Sequence, residues 1–125
     1  MSLPAELKYA PTHEWCLQNS DGSFSVGITD FAQVALGDIV FIELPQVGQM
    51  LIAEQPCAVI ESVKSASDIH APISGVVIAI HDALISAPES INSNPYGSWL
   101  FIIQPTDAKM SVLLDAHQYG ALIGQ

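Results

Sequence analysis

The chain has no arginine and only three lysines, Lys8, Lys64 and Lys109, against 13 acidic side chains, so its formal net charge is −10 with histidine neutral. Phosphate backbones are gripped by clustered Lys and Arg, so this count excludes a DNA or RNA binder. It equally disfavours an anionic membrane surface. Long apolar runs are missing too: those at 39–42, 76–80 and 99–103 fall far short of the roughly 20 residues that span a bilayer. Residues 1–12 carry neither the basic stretch nor the apolar core of a secretory signal, and a soluble intracellular protein is expected. Cysteine is scarce. Cys16 and Cys57 form no CxxC pair and read as small core residues of a reducing compartment, not as a disulfide. The four histidines, His13, His70, His81 and His117, show no HxxxH or HExxH spacing, so no metal site is expected. Neither a GxSxG elbow nor a Walker A loop occurs, and Gly22, Gly27 and Gly37 read as turn glycines. No nucleophile–base pairing can be argued, which points away from an independent enzyme. Trp15, Trp99 and the phenylalanines read as core.

What is present is a core. Half of the 125 residues are hydrophobic, and a chain of this length buries roughly two-thirds of its unfolded surface as one domain over 1–125. Short β-prone runs punctuated by Gly and Pro dominate, with strands expected at 13–17, 23–28, 38–44, 57–63, 68–71, 75–81 and 98–104. Helices are expected at 31–36, capped by Thr29-Asp30 and stopped by Gly37, and as a short turn at 83–86. A helical tail over about 106–122 is expected from two pieces, 106–114 with Asp107 as N-cap or first-turn charge and a last turn at 116–122. Asn92–Gly97 is turn chemistry that no element crosses at Pro95. Many strands with few short helices imply a mainly-β sandwich or flattened barrel with helices as covers. Gly37-Asp-Ile-Val-Phe-Ile and Gly75-Val-Val-Ile-Ala-Ile, on opposite sides of Lys64, fit two strand sets around a central hairpin.

Lys64 sits in that hairpin, about 57–73, where two apolar arms flank a short polar Lys-Ser-Ala-Ser-Asp stretch. A lysine at or beside a hairpin tip is exposed to a modifying enzyme without unfolding of the core. Spacing alone leaves its chemistry open, down to an ordinary surface charge.

The residues around it are more specific. Glu61-Ser62-Val63-Lys64-Ser65-Ala66-Ser67-Asp68 closely resembles the lipoyl-attachment motif of the glycine cleavage system H-protein family. Leu7-Lys-Tyr-Ala-Pro-Thr-His-Glu-Trp15 resembles the opening of that family, and Val26–Gln33 followed by Leu36–Pro45 its central signature. Ala71–Gly75, Ile91–Gly97 and Trp99–Phe101 match later blocks in order, so the likeness runs from about residue 7 to 119. Glu54 and Ala58 stand where the family usually has Gly, Ser65 where Ala is common, and the tail from Ala108 is less typical.

The resemblance implies a lipoyl-domain-like hammerhead, a hybrid of flattened barrel and sandwich. It implies lipoic acid in amide linkage on Lys64 as a swinging arm, which deletes one positive charge and takes −10 to about −11. The chemistry then belongs to the cofactor. In the family, a pyridoxal-phosphate glycine decarboxylase loads an aminomethyl group on the arm, and a tetrahydrofolate-dependent aminomethyltransferase takes its methylene unit. Dihydrolipoamide dehydrogenase reoxidises the dithiol. The carrier itself, expected to be a monomer, has no turnover. The resemblance further implies Glu61 as a recognition residue for a lipoate ligase or lipoyl transferase. Glu14, with Thr12 beside it, and Asp68 are candidates for holding the cationic aminomethyl group; simple exposure at a strand end is the alternative for both carboxylates. A bacterial cytoplasm is the default compartment, or the mitochondrial matrix for a eukaryotic chain already processed. Two other readings remain at this point: a lipoate relay that donates lipoyl groups to other carriers, and a biotin carrier. The latter typically flanks its lysine with methionines, where this chain has Val63 and Ser65.

Overall fold

The computed structural model describes residues 3–110 and 113–125, with 107–110 as backbone alone. In chain order the elements are β1 (Lys8–Tyr9), β2 (Glu14–Gln18), β3 (Phe24–Ile28), α1 (Asp30–Leu36), β4 (Ile39–Glu43), β5 (Met50–Leu51) and β6 (Pro56–Ser62). They continue with β7 (Ala66–His70), β8 (Ile73–Ile80), α2 (Ala83–Ser86), α3 (Ser90–Ser93), β9 (Phe101–Met110) and α4 (Ala116–Leu122). The strands form two open antiparallel sheets, one in the order β1-β2-β3-β9-β8-β5 and one in the order β4-β6-β7. This is the mainly-β layout expected, as a pair of open sheets and not a closed barrel. The two Gly-led repeats fall in different sheets, the first on β4 and the second on β8.

Alternation builds the core between the sheets. In β6, Ala58 and Ile60 turn inward while Glu61 stays out; in β8, Ile73, Gly75 and Val77 turn inward. Ala58, Ile60, Ile73 and Val77 meet Val26 and Ile28 of β3 and Phe101 and Ile103 of β9 in one cluster. Each fully buried aliphatic contributes about 1.5–3 kcal/mol. A smaller cluster joins Leu7, Tyr9, Trp15 and Tyr119, and through it α4 docks on β1.

α1 forms where its caps predict. Thr29 Oγ1 accepts the Ala32 N–H at 3.2 Å, and Gly37, at φ +81°, ends the helix by donating its N–H to Gln33 C=O. The helix expected over 106–114 is corrected: residues 106–110 continue β9, and 111–112 lie outside the described residues. β8 supplies a long template, and Pro105 pairs with Gly75 at a register shift, where a strand tolerates the missing N–H. Asp107 therefore lies within a strand and not at the start of a helix. The tail helix starts at α4 under a capping box of Asp115 and Gln118. Gly27 is also corrected: it lies inside β3, where a Cβ would sit 2.5 Å from the Trp15 indole. The glycine makes room for the tryptophan. The two-residue strands β1 and β5 and the four-residue α3 are too short to leave a period in the sequence.

Candidate functional site

β6 and β7 pair Val59 with Asp68, Ile60 with Ser67 and Glu61 with Ala66, which leaves residues 62–65 as the hairpin turn. Ser62 builds that turn. Its N–H donates to Ser65 C=O at 2.8 Å, and its Oγ accepts the N–H groups of Lys64 and Ser65, each at 3.1 Å. Val63 N–H donates to Asp38 C=O at 3.0 Å, tying the tip to the chain between α1 and β4. Lys64 is exposed at the corner. Its side chain lies across Gly37, where an added Cβ would come 3.0 Å from Cε. The helix-stopping glycine thus also clears the path of the lysine.

A groove of about 320 Å³ opens beside Lys64 at Ser65 and Ala66. It runs between Phe31, Ala32 and Ala35 of α1 and the β7 arm, and reaches Thr12 and His13. A second pocket of about 190 Å³ shares Thr12 with it and is lined by Pro11, Glu14, Glu54, His70 and Ala71. A lysine, an apolar groove and a carboxylate therefore follow one another across the surface.

Glu14 is only 1 % exposed, so simple exposure at a strand end does not describe it. Its Oε1 accepts the Thr12 hydroxyl, and its Oε2 accepts the His70 backbone N–H at 2.9 Å and faces His70 Nδ1 at 3.3 Å. Burial raises its pKa, against the hydrogen bonds from Thr12 and His70 that favour the carboxylate. Residues 10–14 make a tight turn in which Ala10 N–H reaches Glu14 C=O at 2.8 Å and His13 adopts φ +78°. That turn brings Thr12 beside Glu14.

The structure thus joins Thr12 and Glu14 in one pocket. Asp68, exposed on β7, lines the groove from Lys64 and a shallower groove on the other side of the hairpin, away from the Glu14 pocket. Glu61 is exposed on β6 with its Cα opposite Phe41 of the edge strand β4. Three neighbours have no signal in sequence spacing. His70, 56 positions from Glu14, is its hydrogen-bond partner. Tyr119, 106 positions from His13, meets that ring through its hydroxyl. Glu54 stands at φ +74° on the pocket wall, its N–H donating to Ala71 C=O at 2.7 Å. A left-handed glutamate is strained by about 1 kcal/mol. Its marker was the departure at position 54 from the usual Gly. Ala58, the other departure, is a buried residue of β6 where the pairing with β7 shifts register, without the positive φ that would call for glycine. Cys16 and Cys57 are free thiols, both pushed up to about 12 by burial. Among the described residues no group of three or more His, Cys, Asp or Glu is placed to hold a metal. None of the described helices is long and apolar enough to cross a membrane.

Comparison with known proteins agrees with this geometry. The sequence model of the family described as Glycine cleavage H-protein matches residues 7–125. The glycine cleavage system H protein of Shewanella baltica (strain OS155) is 53 % identical over 126 residues, covering 99 % of this chain and 98 % of the relative. Glycine cleavage system H protein 2 of Pseudomonas aeruginosa is 54 % identical over 123 residues, covering 98 % and 95 %. The crystal structure of a glycine cleavage system H protein from Mycobacterium marinum superposes with a TM-score of 0.92 at 38 % identity, covering 98 % of this chain and all of that one. Proteins of this family carry lipoate and serve as a carrier component among the partner enzymes of the system. The chain belongs to the glycine cleavage H-protein family, and its role is that of a lipoyl carrier in the glycine cleavage system.

Proposed function

We propose that Lys64 is the attachment lysine and that the groove from Ser65 to Thr12 is the resting track of the arm, ending at Glu14. The observation that carries this reading is the continuity of the two pockets through Thr12, from an exposed lysine to a buried carboxylate. When bound in amide linkage, lipoic acid supplies a dithiolane that cannot reach the relaxed disulfide dihedral of roughly 90° and is readily opened by nucleophiles and reductants.

The chain's own residues supply placement. Ser62 holds the turn so that Lys64 projects, and acylation removes the lysine's charge. Glu61, exposed three residues earlier, faces the lipoate ligase or lipoyl transferase. Ala32, Ala35 and Ala66 are small enough to leave an apolar trough, and Asp68 borders it. At the far end, Glu14 pairs with the cationic amine of the aminomethyl cargo, and Thr12 keeps the carboxylate aimed. Burial makes this pairing strong, because water screens it weakly. The groups that donate and accept the cargo reside in the partners: the pyridoxal-phosphate glycine decarboxylase, the tetrahydrofolate-dependent aminomethyltransferase and dihydrolipoamide dehydrogenase. The chain is one non-catalytic domain over 1–125, acting as a monomer in a bacterial cytoplasm.

Reconstitution tests the reading. Lipoylated wild-type protein should support glycine-dependent release of CO2 by the decarboxylase. Lys64→Arg, carried through the same lipoylation step, should support none. Equal activity of the two would overturn the assignment.

A further inference from the structure

This inference rests on the reading of the Glu14 pocket as the cargo site and concerns what controls its hold. A carboxylate has about four lone-pair positions. In Glu14 three face donors of the chain: the Thr12 hydroxyl, the His70 N–H and His70 Nδ1. Capacity remains for one further donor, on a buried group whose pocket is otherwise lined by Ala10, Pro11, Glu54 and Ala71. The contact with His70 Nδ1 is also the ion pair drawn by the geometry at Glu14, and the imidazole is 29 % exposed, open to exchange protons with water.

The geometry points to His70 as the positioning residue that sets how firmly the pocket holds a primary ammonium ion. Neutral His70 donates its Nδ1 proton to Glu14 and leaves the carboxylate's negative charge for the amine. Protonated His70 keeps the same hydrogen bond but adds a full positive charge 3.3 Å from Oε2, cancelling the charge the amine needs. Proton and ammonium therefore compete for one carboxylate. By reciprocity, a bound ammonium must make His70 harder to protonate to the same extent.

Other titratable groups surround the pair. Glu54 lines the pocket from the β5–β6 turn and is exposed. Asp68 precedes His70 by two residues on β7 and is exposed. Cys57 on β6 and Tyr119 on α4 are pushed up to about 12 by burial, so neither changes charge near neutral pH. His13, on the turn ahead of β2, is shifted downward by burial and titrates below the ordinary histidine range. Glu14 itself is shifted upward by burial, so its own protonation also weakens the hold in acid. A fall in cargo retention with acid is therefore diagnostic only when compared with a His70 variant.

The test uses lipoylated protein loaded with the aminomethyl cargo by the decarboxylase. Intact mass follows spontaneous cargo loss against pH, and NMR follows the His70 imidazole titration with and without cargo. Retention in wild type should fall by up to tenfold for each pH unit below the His70 midpoint, and cargo should move that midpoint down. His70→Asn, whose amide nitrogen can stand where Nδ1 stands, keeps a neutral donor and should lose less of the hold at pH 8 than His70→Phe, with a shallower acid dependence than wild type. His70→Phe, lacking the donor, should hold it less well at every pH. A pH profile in His70→Asn as steep as that of wild type, or an imidazole midpoint indifferent to cargo, would overturn the role of His70. Glu14→Gln separates this from the underlying reading: if it loses cargo no faster than wild type, the pocket is not the cargo site at all.

Discussion

The imidazole Nδ1 of His13 and the hydroxyl of Tyr119 lie 2.7 Å apart, and the same hydroxyl is 2.8 Å from Thr29 Oγ1. His13 belongs to the turn that presents Thr12 and Glu14, and Thr29 caps the helix forming the opposite groove wall. Tyr119 is fully buried, its ring stacked on Tyr9 at 4.8 Å. The C-terminal helix therefore braces the α1 wall of the groove and the turn at its far end.

Tyr119→Phe keeps the stacked ring and takes a hydroxyl partner from buried Thr29 and half-buried His13. It should cost about 1–3 kcal/mol, read by urea denaturation. A loss below about 0.5 kcal/mol would mean that the hydroxyl braces nothing.

The His13 contact also carries a pH signature. Burial lowers its folded pKa below 6.5, so the unfolded chain binds more protons in the window between the two values. Stability should therefore fall as pH drops from 6.5 through the folded value. His13→Asn, which tolerates the left-handed backbone at φ +78°, should remove that slope. Denaturation midpoints measured every half unit from pH 7.5 to 5 would show it, and the same slope in both proteins would refute it.

Glu14 has the opposite sign. Its folded pKa is raised above 4.5, so the folded chain binds the extra proton just above that value. The contribution is fully present below pH 4.5 and lost as pH rises through the higher folded value. Glu14→Gln should flatten this part of the stability profile. Thermal melts across pH 4–7 that are parallel for the two proteins would argue against it.

Glu54→Gly relieves the left-handed backbone at φ +74° and should stabilise the fold by about 1 kcal/mol. Glu54→Ala should not. A chemical-denaturation comparison in which alanine stabilises as much as glycine would place the effect in the charge and not the backbone.

Much of this arrangement was legible from residues close in sequence. Thr29 and Gly37 mark the ends of α1 because caps are local, and Lys64 sits at a hairpin tip because alternation on either side of it defines the arms. The resemblance supplied what periodicity lacks, the identity of the attachment motif. Legibility failed where a distant partner decides. Residues 106–114 read as a helix until the pairing of β8 with the strand through Pro105 is seen, and Gly27 reads as a turn until Trp15 is seen over it. Glu14 is the first candidate from its matching block and Asp68 the second from its place four residues beyond Lys64, with exposure the alternative for both; folding buries Glu14 beside His70 and leaves Asp68 on the groove lip.

The central claim is that the chemistry hangs on Lys64 alone of the three lysines. Intact-protein and peptide mass spectrometry, on protein expressed with lipoate and a lipoylating enzyme, tests it most directly. One lipoyl group on the peptide containing Lys64, none on those containing Lys8 or Lys109, and no modification of Lys64→Arg is the predicted result. An unmodified Lys64, a biotinyl group there, or lipoylation that survives Lys64→Arg would contradict it.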